Sequence, residues 1–493
     1  MSKPYLSKSK YLVGLQCPKL LWIHYKAKDK LPPVDEQTEA IFDQGHQVGQ
    51  LAQKLFPDGI NIEWDINISE VIKTSTEMFA KRLPLFEAGF RHNRTYARVD
   101  ILNPVSSNKW DIIEVKMGAS IKDINYHDVA FQRYCYEGAG IPVNHCHLMH
   151  INTKYKRHGD IEPEKLLISE DVTEKIKELA EGVEERLQRM FDVIDSDKCP
   201  EVDIGPYCSD PHDCIMKDIC WKKLFTHKNH VFTLANARGR NWKLYKEGIL
   251  TNDNIPADFS LTGKTRIQVD AENTGQIHVE KPVVRKFLKK LKYPLYYLDF
   301  ETFGYDLPIP LIDNAGPYKH IPFQYSLHYQ RSAGSKLDHH SWIWDGNGDP
   351  RKEMLTRLQK LLGRRGSIVA YRSPFESSRL RESAEAYPEF ADWVAGLMPR
   401  IVDLLEPFRN FEVYHPDQHG TASMKAVLPA LTGKSYEGMA ISDGGQASND
   451  YVSVMFGKST PAQKKALFRN LEEYCGQDSL GMADIVAELQ KLI

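Results

Sequence analysis

The sequence predicts an α/β protein with two separate cores. Its 493 residues exceed the roughly 150 that a typical domain contains, so more than one hydrophobic core is expected. Short β-rich runs alternate with helical patterns twice, in residues 1–225 and again in residues 293–493. Residues 226–292, between them, are polar and contain several turn signals. We therefore expect two α/β domains joined by a small helical and polar module.

The composition excludes several classes of protein. The 64 Lys and Arg residues nearly balance the 66 Asp and Glu residues, and 42% of the chain is hydrophobic, which excludes disordered and low-complexity proteins. No apolar run approaches the ~18 residues of a membrane helix, and the N-terminus has no signal-peptide pattern. We expect a soluble, cytoplasmic protein that does not bind membranes. The net charge of −2 still permits a local basic groove for nucleic acid.

In the N-terminal region, helical patterns come first and β-rich runs follow. The predicted elements are helices over 11–23 and 40–56, strands over Leu85–Arg91, Tyr96–Leu102 and Trp110–Val115, a helix over Asp123–Glu137, a strand over His145–Ile151 and a long helix over Val172–Ile194.

Two of these strands carry the residues of a metal site. Glu114 and Lys116 are two apart and project from one face of their strand, and Asp100 joins them if the strands pair. Carboxylates hold Mg²⁺ or Mn²⁺, which prefer oxygen ligands. Such an ion lowers the pKa of a bound water, while a lysine positions the nucleophile or offsets the developing anion. This is the chemistry that phosphodiester hydrolysis requires.

Two further residues complete a recognisable order. Gln132 and Tyr136 are four apart on a predicted helix and share a face. The succession Asp100, Glu114-x-Lys116, Gln132-x-x-x-Tyr136 resembles the PD-(D/E)xK superfamily, which has a restriction-endonuclease-like core. It looks most like the RecB-like branch, which includes the CRISPR-adaptation exonucleases and the AddB nuclease domain. The resemblance implies that all five residues are catalytic and that Asp100 and Glu114 bind the metal.

The same resemblance implicates residues upstream. In the RecB-like branch a histidine before the strands helps to hold the metal, and His46 is the matching residue here. Glu87 lies where a further acid is often found, although this match is looser. A strand that carries Glu-Val-Lys is also common as a solvated edge with a cross-strand ion pair, and His46 by itself is typical of an ordinary helix. The five-residue order favours the catalytic interpretation.

Four cysteines bracket this region. Cys17 precedes the strands, and Cys208, Cys214 and Cys220 follow them at intervals of six. Four thiolates suit either a [4Fe–4S] cluster or tetrahedral zinc, and the lack of a close C-x₂₋₄-C pair favours the cluster. The arrangement also resembles the iron staple of RecB-like nucleases, in which a cluster ties the two ends of the domain together.

The cysteine spacing departs from the commoner staple pattern, in which the second and third cysteines are closer. Zinc therefore stays open, as does Cys199 as a substitute ligand. Cys135 and Cys146 lie in apolar patterns and are expected to be core residues.

The C-terminal region has a second group of acids. Asp299 and Glu301 are two apart at the end of an apolar strand, and so share a face. Helices are predicted over Arg351–Leu362, Pro374–Ala386 and from Pro461 onwards, and a strand over 367–371. Glu376 lies at the start of one helix, and Tyr474 and Asp478 are four apart on the last.

These elements resemble the DnaQ-like DEDD exonucleases, which have an RNase H-like core, in the subtype with a tyrosine four before the last aspartate. The resemblance implies two metal ions held by Asp299, Glu301, Glu376 and Asp478, with Tyr474 orienting the attacking water. Two departures stand out. Glu376 replaces the usual aspartate, and Arg372 stands where asparagine is common. Asp403 is either a further acid or a helix cap.

The leading hypothesis is a metal-dependent nuclease with two active sites, one RecB-like and one 3′→5′ DEDD exonuclease. It needs Mg²⁺ or Mn²⁺ and carries a [4Fe–4S] cluster, and DNA is favoured over RNA because both families act mostly on DNA ends. The domain order also resembles an uncharacterised bacterial family. A helicase, repair or defence partner is compatible with the sequence but not identified by it.

Two other hypotheses stay open. The first is a nucleic-acid-end-binding adaptor with partly degenerate nuclease folds, for which Arg372 and Glu376 are the best support. The second is a zinc-stabilised interaction protein whose acids are only surface charge.

Overall fold

The chain folds as an α/β protein with two compact units. A computed structural model describes residues 3–63, 67–106 and 108–493. The first unit contains the residues up to Lys222 together with Leu307–Tyr318, and the second contains Lys223–Asp306 and Lys319–Ile493. Residues 226–292 fall inside the second unit, so the division into three domains stays a prediction.

The first unit combines helices with two sheets. Its strands are β1 (Leu6–Ser7), β2 (Ile60–Asn61), β3 (Leu85–Phe86), β4 (Gly89–His92), β5 (Thr95–Arg98), β6 (Ile101–Pro104), β7 (Trp110–Val115), β8 (Val143–Ile151) and β9 (Leu167–Asp171). Its helices are α1 (Lys8–Gln16), α2 (Pro18–Lys26), α3 (Glu36–Gln53), α4 (Ile68–Phe79), α5 (Asp123–Gly138), α6 (Pro163–Leu166), α7 (Thr173–Ala180), α8 (Val183–Asp195) and α9 (Lys217–Cys220).

The main sheet of the first unit has the strand order β2-β3-β6-β7-β8-β9. β6 and β7 are antiparallel neighbours, and α5 connects β7 to β8, which runs parallel to it. A crossover helix is the usual way to join parallel strands. α5 buries Phe131 and Tyr136 in a core cluster of the first unit.

Four predicted elements of this unit are wrong in detail. The helix predicted over 11–23 is two helices, α1 and α2, which meet at Cys17, and the strand predicted over Leu85–Arg91 is β3 and β4, which lie in different sheets. The strand predicted over Tyr96–Leu102 is two strands in different sheets, because the chain passes from β5 to β6 at Val99 and Asp100. Asp100 therefore lies between strands rather than on one. The long helix predicted over Val172–Ile194 is α7 and α8, which meet at Gly182. The helix predicted over Asp123–Glu137 is confirmed as α5.

The second unit has one large sheet covered by helices. Its helices are α10 (Lys222–Phe225, which begins one residue before the unit), α11 (Arg240–Lys246), α12 (Lys264–Thr274), α13 (Lys281–Leu288), α14 (Pro350–Leu361), α15 (Pro374–Ala386), α16 (Ala391–Leu397), α17 (Glu406–Arg409), α18 (Met424–Thr432), α19 (Gly444–Phe456) and α20 (Pro461–Lys491). Its strands are β10 (His278–Val279), β11 (Leu295–Phe303), β12 (Ile321–Gln330), β13 (Leu337–Ile343), β14 (Ser367–Ala370), β15 (Ile401–Asp403) and β16 (Val413–Tyr414).

The large sheet has the order β13-β12-β11-β14-β15. β11 is antiparallel to β12 and parallel to β14, which is parallel to β15. The helix α20 is held on β12 by polar contacts: Gln324 Nε2 donates to the Leu471 carbonyl at 2.8 Å, and the hydroxyls of Ser326 and Ser479 lie 2.7 Å apart. The helices predicted over Pro374–Ala386 and from Pro461 onwards are confirmed as α15 and α20.

The segment Leu307–Tyr318 follows β11 in the chain but belongs to the first unit. Within that unit its backbone exchanges hydrogen bonds with Arg157: the Asn314 amide donates to the Arg157 carbonyl at 2.8 Å, and the Arg157 amide to the Ala315 carbonyl at 3.0 Å. The Tyr318 hydroxyl donates to the Met117 carbonyl. No helix among the described residues is both long enough and apolar enough to cross a lipid bilayer.

Candidate functional site

The first group of functional side chains, here called the first acidic centre, surrounds the end of β7. It consists of Lys8, Asp100, Glu114, Lys116, Asp128 and Gln132. Asp100 Oδ2 accepts a hydrogen bond from the Val115 amide at 2.6 Å, which ties the turn before β6 to β7. Glu114 is 2% exposed. The predicted meeting of Asp100, Glu114 and Lys116 is thus present in the structure.

Two ammonium groups neutralise two of the carboxylates. Lys116 Nζ lies 2.6 Å from Glu114 Oε1 and 2.6 Å from Asp128 Oδ2. Lys8 Nζ lies 2.7 Å from the same Glu114 oxygen and 4.0 Å from Asp128 Oδ1. The Gln132 amide donates to Glu114 Oε2 at 2.8 Å and to Asp128 Oδ1 at 2.9 Å. Glu114 and Asp128 are therefore matched by two cations, while Asp100 makes no ion pair with any described residue.

The pKa directions follow from this charge distribution. Burial, reinforced by the Glu114 carboxylate, raises the pKa of Asp100 to about 7. Burial also acts to raise the pKa of Glu114, but Lys116 and Lys8 together hold that pKa below its ordinary value. Burial acts to lower the pKa of Lys8, and the carboxylates of Asp128 and Glu114 more than offset it, so the pKa is raised.

Three residues implicated by the sequence are not part of this centre. The buried Tyr136 hydroxyl donates to the Ala88 carbonyl and accepts from the Val99 amide at 3.2 Å, so it holds the backbone next to Asp100. His46 is exposed on α3 and forms no group with Asp100 and Glu114 in which all ligand atoms lie within 4.8 Å. Glu87 pairs with Arg98 at 3.1 Å.

Sequence reasoning missed Lys8 and Asp128. Asp128 precedes Gln132 by one helical turn on α5, so an i,i+4 signal was present in the sequence. Lys8 is 106 residues from Glu114 and begins α1. Nothing in the local sequence links it to the site.

Four cysteines form a second feature of the first unit, the cysteine cluster. Cys17 lies between α1 and α2, Cys208 in the 3₁₀ turn Pro206–Ser209, Cys214 in the following loop and Cys220 at the end of α9. All four line one cavity, and none forms a disulfide. Cys199 is exposed and does not line it.

The spacing of the sulfurs tests which group they would fit. No three of the four Sγ atoms lie within 4.8 Å of one another. A zinc ion with Zn–S bonds of ~2.3 Å would hold its sulfurs under about 4 Å apart. A cubane iron–sulfur cluster spreads its four thiolates more widely. The four soft donors that line this cavity suit a metal centre, either a cluster or zinc. Cys135 and Cys146 are fully buried in the core, as predicted.

The second acidic centre lies on the large sheet of the second unit. It consists of Asp299, Glu301, Glu376 and Asp478, together with Tyr436, Tyr474 and Cys475. β11 carries the first two acids, α15 carries Glu376 in its first turn, and α20 carries the residues from Tyr474 to Asp478. Asp299, Glu301 and Cys475 each offer a ligand atom within 4.8 Å of the others.

Neutral donors, rather than cations, contact these acids. The Cys475 thiol donates to Asp299 Oδ2 at 3.3 Å, and the Tyr436 hydroxyl donates to Asp478 Oδ1 at 2.5 Å. Lys425 Nζ lies 5.4 Å from the centre of the Tyr474 ring and 5.8 Å from that of Tyr436, and donates to the Ser442 carbonyl at 2.6 Å. It is a nearby cation that is not ion-paired with the acids.

Burial and mutual repulsion raise the pKa values of this centre. Burial first, and the carboxylates of Asp478 and Glu301 second, raise the pKa of Asp299 well above its usual range. The pKa of Glu301 is raised well above its usual range by burial and by Asp478. Burial raises the pKa of Asp478 to about 6 and that of Glu376 to about 8.

Glu376 is 3% exposed, and its Oε2 is a buried atom without a hydrogen-bond partner among the described residues. An unpartnered carboxylate oxygen beside other carboxylates fits a divalent cation, which would supply the missing partner. In the first acidic centre, Asp100 is the carboxylate that no ammonium pairs with among the described residues, which leaves it as an oxygen donor for a cation of the same kind, although Asp100, Glu114 and Asp128 do not bring three ligand atoms within 4.8 Å of one another.

Asp403 and Arg372, two residues singled out in the sequence, lie beside this centre without contributing a described contact to its acids. Asp403 caps a turn: it accepts hydrogen bonds from the amides of Arg372 at 3.0 Å and Leu405 at 3.1 Å, and pairs with Arg409 at 2.5 Å. Arg372 is exposed and has a φ of 65°. No local sequence pattern points to Tyr436, which is 42 residues from Asp478.

One protein-family model matches the chain. It is described as a domain of unknown function (DUF2779) and covers residues 296–423. The match includes Asp299, Glu301 and Glu376 and stops before α20. No curated protein matches this chain.

Proposed function

We propose that this protein is a metal-dependent nuclease that hydrolyses phosphodiester bonds in nucleic acid, with DNA favoured over RNA. The observation that carries the proposal is the second acidic centre, where four carboxylates from three distant parts of the chain meet and none forms an ion pair with a cation of the described residues. Burying like charges together is costly unless a cation offsets them. Two carboxylate-held metal ions are also what phosphodiester hydrolysis uses.

The strand order supports a specific architecture for each active site. In the second unit, we propose an RNase H-like core of the DnaQ type, and the order β13-β12-β11-β14-β15, with β11 antiparallel to β12 and parallel to β14, supports it. In the first unit, we propose a PD-(D/E)xK core of the RecB-like branch, which the hairpin of β6 and β7, followed by α5 and the parallel β8, supports.

Roles follow from the contacts. Asp100 and Glu114 would hold the metal of the first active site, and Lys116 would balance charge on the phosphate. In the second active site, Asp299, Glu301, Glu376 and Asp478 would hold the metal ions, and Tyr474, beside Asp478, would orient the attacking water. The bound ions would lower the pKa of that water and stabilise the leaving oxygen.

The cysteine cluster would hold a [4Fe–4S] group with a structural role. Cys17 is separated in sequence from the other three cysteines by the whole sheet of the unit, so a shared cluster would close a long loop and remove entropy from the unfolded chain. Anaerobic purification should give a brown protein with iron and sulfide. Cys208→Ser should lose the iron and Cys199→Ser, the matched control, should keep it. A colourless protein that contains zinc contradicts this part.

A nuclease assay tests the main proposal. Anaerobically purified protein with Mn²⁺ or Mg²⁺ is incubated with end-labelled single- and double-stranded DNA and RNA. Asp100→Ala or Lys116→Ala should remove one set of products, and Asp299→Ala or Asp478→Ala the other. Asp123→Asn and Asp392→Asn are controls, because both carboxylates are exposed. If Asp299→Ala and Asp478→Ala leave every product unchanged, the second active site is inactive.

One observation favours a second candidate, a protein that binds nucleic-acid ends without hydrolysis at the second centre. With a pKa raised to about 8, Glu376 is protonated at neutral pH and binds a metal weakly until the proton is displaced. This candidate predicts gel-shift binding to labelled ends with no products that depend on Asp299.

A further inference from the structure

The backbone of Lys8 is placed at the first acidic centre by contacts on both sides, although the residue lies near the start of the chain. β1 pairs in parallel with β5, with Ser7 opposite Tyr96, and Lys8 is the first residue of α1. The ring of Tyr11, one turn later, stacks on Phe131 of α5 with 4.7 Å between ring centres. The backbone position of Lys8 is therefore set by the sheet on one side and by the core on the other, and the side chain reaches Glu114 from there.

Both oxygens of Glu114 are occupied in this arrangement. Oε1 accepts from Lys8 and Lys116, and Oε2 accepts from Gln132. A metal ion that binds Glu114 must therefore displace a donor. Lys116 is also anchored by Asp128 at 2.6 Å, whereas Lys8 is 4.0 Å from that carboxylate, so Lys8 is the cation held by fewer close contacts.

We propose that Lys8 is a positioning residue whose ammonium takes the place of the metal ion on Glu114 and competes with divalent metal for that carboxylate. The inference rests on the proposed metal site of the first acidic centre. The Lys8 side chain is 24% exposed, so its ammonium can withdraw towards solvent when an ion binds. In the metal-free protein, Lys8 keeps the buried Glu114 paired and the centre assembled.

The first test is Mn²⁺ titration calorimetry on the full, cluster-loaded chain. Asp299→Asn and Asp478→Asn are present throughout, so that the second centre does not contribute. Lys8→Gln should bind Mn²⁺ about tenfold more tightly than the same protein with Lys8, because a competing positive charge has been removed. Lys8→Arg keeps the charge and should change the affinity little. Lys10→Gln is the matched control, since Lys10 lies on the same helix but contacts His24 at 2.9 Å.

The second test needs no substitution at Lys8. Amine-reactive labelling of the full chain, read by mass spectrometry, should modify Lys8 several-fold faster when Mn²⁺ is added, because the ammonium is released from Glu114. Lys10 should react at the same rate with and without metal.

Three outcomes are decisive. Tighter Mn²⁺ binding by Lys8→Gln together with metal-dependent labelling supports the inference. Equal or weaker Mn²⁺ binding by Lys8→Gln, or a labelling rate of Lys8 that does not change with Mn²⁺, overturns the inference. The proposed metal site still stands in that case if Asp100→Ala removes Mn²⁺ binding. If no variant takes up Mn²⁺, both the inference and the proposed function of the first centre are overturned.

Discussion

The two acidic centres solve the same electrostatic problem in opposite ways. In the first, Lys8 and Lys116 pair with Glu114 and Asp128, so most of the buried charge is balanced by the chain itself. In the second, Asp299 and its neighbouring acids contact a thiol and a phenol, and no ammonium pairs with them among the residues described. Without a bound ion, the first centre therefore keeps most of its buried charge paired, whereas the second centre keeps carboxylates that repel one another.

The largest expected effect is on the self-balanced centre. Glu114→Gln should lower the free energy of unfolding of the metal-free protein by about 3 kcal/mol, because two ammonium groups lose a buried partner. Chemical denaturation with EDTA present measures it. Asp123→Asn, on the exposed side of α5, should change the free energy of unfolding little. An unchanged value for Glu114→Gln would show that the ion pairs of the first centre add no stability.

A smaller loss is expected from the donor of the second centre. Tyr436→Phe removes the hydroxyl that donates to Asp478 and should cost about 1.5 kcal/mol in metal-free protein. The ionised Asp478 loses a stabilising hydrogen bond, so its pKa should also rise, which carboxyl-detected NMR can follow. A pKa that stays the same would mean that the phenol does not support this carboxylate.

Removing an acid from the second centre should have the opposite sign. Asp299→Asn should stabilise the metal-free protein by about 1 kcal/mol, because one of several repelling carboxylates is lost. The same variant should lose most of the rise in melting temperature that Mn²⁺ gives the unaltered protein. If Asp299→Asn instead lowers the free energy of unfolding in EDTA, repulsion between the carboxylates does not destabilise the metal-free second centre.

The smallest effect is a dependence of the free energy of unfolding on pH. Its sign is opposite for the two centres. Glu376 and Asp478 have raised pKa values in the folded state, about 8 and about 6, so the folded protein keeps protons that the unfolded chain loses above about pH 4. Their stabilising contribution is complete below that pH and is lost as the pH rises towards 8. Glu114 has a lowered pKa, so its contribution is lost instead as the pH falls.

Denaturation curves of metal-free protein between pH 4 and pH 8 measure this slope, and Glu376→Gln should flatten it. Adding Mn²⁺ to the unaltered protein should flatten it too, since a bound cation favours ionised carboxylates. If Glu376→Gln leaves the pH dependence of the free energy of unfolding unchanged, groups other than Glu376 cause that dependence.

How far the sequence predicts each site depends on the distance between its parts. Glu114 with Lys116, and Asp299 with Glu301, are two residues apart on strands, and the period of a strand is enough to place each pair on one face. Tyr474 and Asp478 follow in the same way from the period of a helix. These elements are present as predicted in β7, β11 and α20.

What the sequence did not predict arises from contacts between remote segments. Lys8 reaches Glu114 across 106 residues and Tyr436 reaches Asp478 across 42, and no local pattern marks either. At the break between β5 and β6, the Val99 amide donates both to the Ala88 carbonyl and to the hydroxyl of Tyr136, which is 37 residues away in the sequence. The nuclease activity, the metal ions and the iron–sulfur cluster stay predictions.

The segment Leu307–Tyr318 has a practical consequence for dissecting the chain. Ile309 and Tyr318 pack on the core of the first unit against residues such as Val48 and Ile113. A fragment that stops at Lys222 would lack this packing and leave an apolar face bare to water. The two halves are interleaved along the polypeptide, so neither can be cut out as one uninterrupted stretch without taking a piece from the other.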